Sequence, residues 1–363
     1  MLKRGAIILA GGQAERFQIQ GNRWTDKALA KISGKPLLIH IIEKVETLVE
    51  ETIICVNNTA RKRRYLKVLE DYSVKKEQVK ILIDLSYPSV SGPSVAITTG
   101  LKAANADHCI VLPCDTPFIE PRIVEFLFNA VKNAAIAVPI YPDGSLETLM
   151  FTCKRLQTLQ VTDTLCRLER DRPDDIFRAS SKVKFISTVS ELKDIDPEFK
   201  SFININLRRD LTDPQTRVAL NGPVGKSVYM NLGSPGRFEL DLLNEAARNC
   251  LNGKHLDAAN LFSSASNIIE RKRMNFWTGL CREKEGTALR SLLSSKDVYC
   301  KNNWHVKSEK AFAKAAESYA LEAEAFEKNN IYLLAKRAKD DAFWCRSRID
   351  AHDTLSYHQH NAA

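Results

Sequence analysis

Gly5-Ala6-Ile7-Ile8-Leu9-Ala10 is an unbroken apolar run that ends on Gly11-Gly12. Fixed positive charge follows it: Arg16, then Asp26-Lys27-Ala28-Leu29, then Gly34-Lys35-Pro36-Leu37. A run this short and apolar reads as a buried strand, and the glycines read as a loop at its end. Glycine lets backbone N–H groups approach phosphate oxygens closely, and Arg and Lys neutralise them. The layout suits a bound triphosphate. A tight strand-to-helix turn without a ligand is the plainer alternative.

Similar runs recur downstream. Ala6–Leu9, Thr52–Val56, Val79–Ile83, Cys109–Leu112 and Ala135–Ile140 are rich in Ile and Val and read as strands covered on both faces. Pro36–Val49, Ala60–Tyr72, Pro93–Asn105 and Pro121–Lys132 read as helices between them. Three of these four begin with Pro, whose missing N–H costs nothing in a first turn. The alternation predicts a doubly wound, Rossmann-like α/β domain with a mostly parallel sheet. In such sheets ligands bind beyond the carboxyl ends of the strands. The glycine loop, Asn57, Asp84 and Asp115 each follow one of these strands, so the topology predicts that they converge.

After Asn206 the pattern changes. Leu211-Thr212-Asp213-Pro214 ends the alternation, and Asn221-Gly222-Pro223-Val224-Gly225 and Gly233-Ser234-Pro235-Gly236 read as turn and linker material. From Phe238 onward the periodicity is helical, and it repeats. Ala258-Ala259-Asn260-Leu261-Phe262 resembles Ala315-Ala316-Glu317-Ser318-Tyr319, 57 residues later, and Met274, Phe276 and Trp277 answer Ile331, Leu333 and Leu334. Small residues beside bulky ones suit stacked helical hairpins of a tetratricopeptide-like kind. The expected organisation is an α/β domain over 1–220, a linker over 221–237, an all-α domain over 238–350 and a disordered tail over 351–363. His358 and His360 in that tail read as solvated.

Composition bounds the function. The chain has 363 residues, enough for two domains, and its 44% hydrophobic and 27% charged residues are ordinary for a globular protein. No apolar stretch approaches the ~18 residues of a membrane span, and the first run is too short for a signal-peptide core. Nine cysteines without a Cys-x-x-Cys pair point to reduced thiols and a cytoplasmic location. Cys109 and Cys114 read as core filler. Lone histidines such as His40 and His108 read as structural. The net charge of +9 is spread over both halves. Its densest cluster, Arg61-Lys62-Arg63-Arg64 with Lys67, reads as the solvated face of a surface helix, or else as a patch for an anionic partner. No aromatic platform or zinc-finger spacing accompanies it, which argues against nucleic acid.

The chain resembles the nucleotidyltransferases that attach a nucleoside monophosphate to a phosphorylated acceptor, specifically the molybdenum cofactor guanylyltransferase (MobA-like) family. The matching stretches are Leu9-Ala10-Gly11-Gly12 with Arg16, Asp26-Lys27-Ala28-Leu29, Gly34-Lys35-Pro36-Leu37, Val56-Asn57, Gly92-Pro93, Pro113-Cys114-Asp115-Thr116-Pro117 and Phe202-Ile203-Asn204-Ile205-Asn206. They occur in family order over about residues 5–212. The resemblance implies a Mg²⁺-dependent transfer of GMP from GTP to a phosphate of molybdopterin or its molybdenum-loaded form. It implies that Lys27, Arg16 and Asp115 are catalytic, with Asp115 holding Mg²⁺. The backbone of Leu9, Ala10, Gly11 and Gly12, together with Lys27, Asn57, Asp84, Gly92 and Asp115, would bind the nucleotide. Asn204, Asn206 and Glu147 would face the acceptor or complete the metal shell.

Each residue also has a plainer reading. Asp115 could cap the turn before Pro117, Lys27 could be a solvated loop lysine, and Asp84 could be an ordinary turn residue. Either Asn57 or the adjacent Asn58 could be the contact. The chain departs from the family pattern in three places. The spacing from Arg16 to Asp26 is longer than usual, and the inserted Phe17–Thr25 segment carries Arg23 and Trp24. Ser94-Val95 after Gly92-Pro93 is shared with cytidylyltransferases, which leaves guanine or cytosine open. Glu147-Thr148 replaces a more neutral pair, and an acidic group there would oppose a phosphorylated acceptor. Adenosylcobinamide phosphate or a sugar phosphate would fit the same nucleotide half. A reading of another class makes the helical half a protein-interaction or self-association module, with the first half as its nucleotide sensor.

Overall fold

The computed structural model describes residues 2–19, 24–75, 77–216, 220–294 and 298–350. Arg23 in the inserted segment, and the tail with His358 and His360, lie outside the described residues. The chain divides into two compact units, Met1–Asn231 and Leu232–Ala363.

The first unit begins with β1 (Arg4–Leu9), a small hairpin of β2 (Lys31–Ile32) and β3 (Lys35–Pro36), and α1 (Leu37–Val45). Then follow β4 (Glu51–Val56), α2 (Thr59–Asp71), β5 (Val79–Ile83), α3 (Pro93–Ala103), β6 (His108–Pro113), α4 (Pro121–Ala130) and β7 (Ile136–Ile140). It ends with β8 (Phe151–Lys154), α5 (Arg155–Arg167), α6 (Asp175–Ala179), β9 (Lys182–Ser187) and β10 (Val228–Asn231). The predicted strands correspond to β1, β4, β5, β6 and β7, with ends that differ by at most two residues.

Eight strands form one sheet in the order β10-β9-β7-β8-β6-β1-β4-β5. The sheet is mostly parallel. β8 runs antiparallel to both neighbours, and β10 runs antiparallel to β9. β1, β4, β6 and β7 are buried nearly end to end, which explains why they carry Ile and Val on both faces. Register lines up the carboxyl ends of β1, β4, β5 and β6: Leu9 pairs with Cys55 on one side and Pro113 on the other, and Val56 pairs with Ile83. The residues that follow these four strands therefore emerge side by side.

Besides the two-residue strands β2 and β3, three strands of the large sheet depart from the sequence reading. β8 and β9 lie where no strand is predicted. β10 lies inside the 221–237 stretch read as linker, yet it extends the sheet by pairing with β9 from Val228↔Phe185 to Asn231↔Lys182. Lys182 and Lys184 stand over the Tyr229 ring at 5.4 Å each, so this four-residue edge strand holds its partner partly through side chains.

The second unit is α7 (Arg237–Leu251), α8 (His255–Arg271), α9 (Asn275–Ser291), α10 (Val298–Lys328) and α11 (Tyr332–Asp350), each packed on the next. The internal repeat maps onto it. Ala258, Ala259 and Phe262 of α8 are buried, as are Ala315, Ala316 and Tyr319 of α10. Met274, Phe276 and Trp277 lead into α9 and are buried, as are Ile331 and Leu334 at the start of α11.

Within the first unit, α3 lies directly on β1. A Cβ at Gly100 would stand 2.4 Å from Ile7 Cγ2, and Ile7 is fully buried in a strand and cannot retreat. Gly100→Ala is expected to destabilise the protein: overpacking costs about 1–3 kcal/mol, and the helix preference of Ala returns at most about 1. Chemical denaturation of the variant beside the parent measures the difference.

Candidate active site

The glycine loop is pressed against the neighbouring strand ends. Ala10 N–H still donates to Cys55 O at 2.9 Å, which continues the β1–β4 ladder by one residue. At Gly11 a Cβ would stand 3.1 Å from Asp84 Oδ2 and 3.2 Å from the Asn57 nitrogen, so a side chain there would force the loop away from both. Asp84 is itself fixed by its N–H donating to Val56 O at 2.9 Å. The structure thus brings Gly11, Asn57 and Asp84 together.

Asn58 and Asn57 are told apart by what holds them. Asn58 Oδ1 accepts from Arg61 N at 2.8 Å and caps α2, and Asn58 Nδ2 donates to Asn57 Oδ1 at 2.8 Å. Asn58 is occupied by the cap. Asn57 is the one that abuts the glycine loop.

Asp84 sits in an unusual environment. Its Oδ1 is buried and accepts from no described residue. Burial pushes its carboxyl up to about 6, against the opposing pull of the Arg61 guanidinium. A turn aspartate in water would show neither feature.

The second cluster lies after β6. Lys27 Nζ pairs with Asp115 Oδ2, with side chains only 15% and 13% exposed, and Asn206 Oδ1 is 3.5 Å from the same nitrogen. Lys27 is therefore not a solvated loop residue. Ile205 N–H donates to Asp115 O at 2.9 Å and seats the Asn204–Asn206 stretch beside that strand end. Asp210 holds the stretch from below by accepting from the N–H groups of Asn206 and Leu207 at 2.8 Å each. Glu147 accepts from Tyr141 Oη at 2.9 Å and bonds the Asn204 side chain. Burial raises its carboxyl above the usual range, and Asp115 adds to the effect. Lys27, Asp115, Asn204, Asn206 and Glu147 are thus one cluster.

Arg16 is exposed on a short 3-10 turn, Glu15–Phe17, and borders a cavity of about 410 Å³ that Lys27 and Asn206 also line. The insertion does not remove it from the site. Gly92 stands at the start of α3, beyond the end of β5, with a φ of +93° that favours glycine. Leu9 and Ala10 turn their side chains into the core, and Leu9 O, Ala10 N–H and Ala10 O are already bonded to Cys114, Cys55 and Arg61, so the expected contact of these two residues with a nucleotide falls instead to Gly11 and Gly12.

The basic cluster on α2 needs correction. Arg63, Arg64 and Lys67 are exposed as a solvated face would be, but Arg61 is 3% exposed. Its Nε lies 3.1 Å from Asp26 Oδ2, Nη1 donates to Ala10 O at 3.1 Å and Nη2 donates to Gly12 O at 3.1 Å. Tyr65, one helical turn on, donates to Asp26 Oδ1 at 2.9 Å, with Ala10 O 3.3 Å from the same hydroxyl. Asp26 also caps the 3-10 turn Lys27–Leu29 by accepting from Ala28 N at 3.3 Å. Arg61, Tyr65 and the support role of Asp26 and Asp210 escaped the sequence reading. The spacing 61, 65, 69 marks the buried face of α2 and was the available signal.

Among the described residues, no three His, Cys, Asp or Glu side chains gather in metal-holding geometry. What Asp115 and its neighbours offer is a carboxylate and amide oxygens. That set suits a hard divalent cation that keeps most of its shell in water and phosphate.

Residues 6–181 match the family described as MobA-like NTP transferase domain. A probable molybdenum cofactor guanylyltransferase of Methanosarcina acetivorans is 29% identical over 57% of this chain and 88% of its own length. Its counterpart in Methanosarcina mazei is 27% identical over the same shares. Among solved structures, molybdopterin-guanine dinucleotide biosynthesis protein A from Archaeoglobus fulgidus superposes with a TM-score of 0.46 at 20% identity, covering 58% of this chain and 95% of that one. Residues 6–181 of the first unit thus form a MobA-like NTP transferase domain, a nucleotidyltransferase.

Proposed function

We propose that the chain transfers GMP from GTP to the terminal phosphate of molybdopterin or its molybdenum-loaded form. A phosphate oxygen of the acceptor forms a bond to the α-phosphorus of GTP, the bond from that phosphorus to the bridging β-oxygen breaks, and pyrophosphate leaves. The acceptor is already ionised, so no protein nucleophile is needed. The difficulty is bringing two anions together, and the catalyst's work is alignment and charge stabilisation. The observation that carries the reading is the convergence of the glycine loop, Asn57, Asp84, Lys27 and Asp115 on one sheet edge. The names of the relatives supply the acceptor.

Guanine is favoured over cytosine by Asp84. The half-buried Asp84 carboxylate stands beside Gly11, and in its ionised form it suits the two adjacent N–H donors on the guanine edge. Cytosine would place its ring-nitrogen lone pair against the same carboxylate. Lys27 would carry charge that develops on the phosphates, with Arg16 at the rim of the same cavity. Asp115, with Asn206 beside it, would hold Mg²⁺, which supplies a positive charge that offsets the phosphate oxygens. Glu147 and Asn204 would face the acceptor. The upward shift of Glu147 eases the repulsion that an acidic group brings there.

Pyrophosphate release, measured with each nucleoside triphosphate against molybdopterin, cobinamide phosphate and sugar phosphates, tests the reaction. Turnover is expected with GTP and the pterin, and turnover only with another acceptor would replace the acceptor. Lys27→Ala and Asp115→Ala should each lower transfer by about 10²-fold, the usual effect of removing a key charge-stabilising group. Unchanged melting temperatures would locate the loss in catalysis.

Asp84 generates a pH signature of two opposite signs. Only its ionised form can accept from both guanine N–H groups at once, so GTP affinity should fall by up to roughly tenfold per pH unit below about 6. The folded pKa lies above the unfolded one, so Asp84 contributes stability when protonated and loses that contribution as pH rises from about 4 through about 6. Calorimetric GTP titrations and denaturation across this range, on the parent and on Asp84→Asn, should show both trends in the parent only.

A further inference from the structure

Four carbonyls of the glycine loop, those of Ala10, Gly12, Gln13 and Ala14, accept hydrogen bonds. Ala10 O and Gly12 O both accept from Arg61. Gln13 O accepts from Trp24 Nε1 at 3.0 Å. Ala14 O accepts from Phe17 N at 3.0 Å and from Gln18 Nε2 at 3.0 Å. The donors come from α2 and from the two described ends of the inserted segment. Gln18 also ties those ends together, with Oε1 accepting from Thr25 N at 2.8 Å and Nε2 donating to Thr25 O at 3.0 Å.

In a trans peptide the C=O of one residue and the N–H of the next point in opposite directions. Holding Ala10 O, Gly12 O and Gln13 O therefore turns the N–H groups of Gly11, Gln13 and Ala14 away from Arg61 and Trp24. None of these three amides donates to a described residue. Ala14 is held in the left-handed region, at φ +52° and ψ +44°, a conformation that a non-glycine residue keeps only when its surroundings impose it. Unpaired amides following one another through such a turn form an anion-binding concavity.

Trp24 is fixed in turn. The Arg61 and Arg64 guanidinium carbons lie 4.9 Å and 5.4 Å from its ring centre, so the two cations hold the indole while its N–H reaches Gln13. Gln13 borders both the cavity shared by Lys27 and Arg16 and the cavity beside Asn57 and Trp24. We propose that Trp24 and Arg61 are positioning residues for the triphosphate: they pin the loop carbonyls on one face and so preset its amides on the other. The longer Arg16–Asp26 segment thereby acquires a purpose, the delivery of Trp24 to Gln13. This inference rests on the reading of the first unit as a GTP-using transferase and adds the residues that set its phosphate affinity.

The test uses the full chain and calorimetric binding of GTP, inorganic tripolyphosphate and guanosine. Trp24→Phe keeps an aromatic ring beside the guanidinium groups and removes the N–H together with the fused five-membered ring. It should weaken tripolyphosphate and GTP by about tenfold, the scale of one hydrogen bond, and leave guanosine within about twofold. A merely structural defect would weaken all three alike. Arg61→Lys should weaken the two phosphates more, and Trp24→Phe decides the matter if that variant fails to fold. Trp24 is the one tryptophan of the first unit, the other three being Trp277, Trp304 and Trp344. Tripolyphosphate should therefore change the emission of the parent and leave that of Trp24→Phe unchanged. Parent-like binding of both phosphates by Trp24→Phe, or an equal loss for guanosine, would overturn the inference alone. Failure of the unaltered chain to bind GTP would overturn the nucleotide reading and this inference with it.

Discussion

The ion pair between Arg61 and Asp26 joins the three segments on which the site depends. Both side chains are almost wholly buried, at 3% and 5% exposure. Burying two charges is expensive, and breaking such a pair by removing one partner typically costs about 3–5 kcal/mol. Each member also makes hydrogen bonds through its other polar atoms. Arg61 spends its remaining donors on the glycine loop, and Asp26 accepts from Tyr65 and caps the turn that carries Lys27. One interaction therefore sets the loop, the direction of Lys27 and the docking of α2.

A second pair, Lys27 with Asp115, has the opposite character. Lys27 lines a cavity together with Asn206, whose Oδ1 is 3.5 Å from the lysine ammonium group. In the proposed reaction both partners have better uses: the ammonium group with phosphate oxygens, the carboxylate with a divalent cation. Their mutual contact keeps each charge compensated while the site awaits its substrates. In that proposal a nucleotide arriving with its metal would exchange one set of pairings for another. This differs from the Arg61–Asp26 pair, which is too deeply enclosed to exchange with anything.

Much of this was legible in the sequence. Apolar runs covered on both faces gave away five strands, and the glycines, Lys27 and Asp115 stood at the strand ends where the topology converges. What stayed hidden has physical causes. β8 is four residues long and mixes Phe151 and Cys153 with Thr152 and Lys154, too short and mixed to show a period. β9 alternates lysine with apolar residues because it lies near the sheet edge, and β10 is an edge strand set among glycines and a proline. Arg61 was hidden by its company. Charge density alone describes Arg63 and Arg64 correctly, but burial on a helix follows the face, and the face is written by Tyr65 and Leu69. The two-copy repeat in the helical unit was readable because alanine positions must recur wherever helices pack closely.

The measurement that bears most directly on the account is a crystal structure of the chain with GTP and Mg²⁺. The account predicts the β- and γ-phosphates against the amides of Gly11, Gln13 and Ala14, the guanine edge on Asp84, and the α-phosphate between Lys27 and an ion held by Asp115. A nucleotide bound elsewhere, with Lys27 and Asp115 still paired to each other, would contradict it.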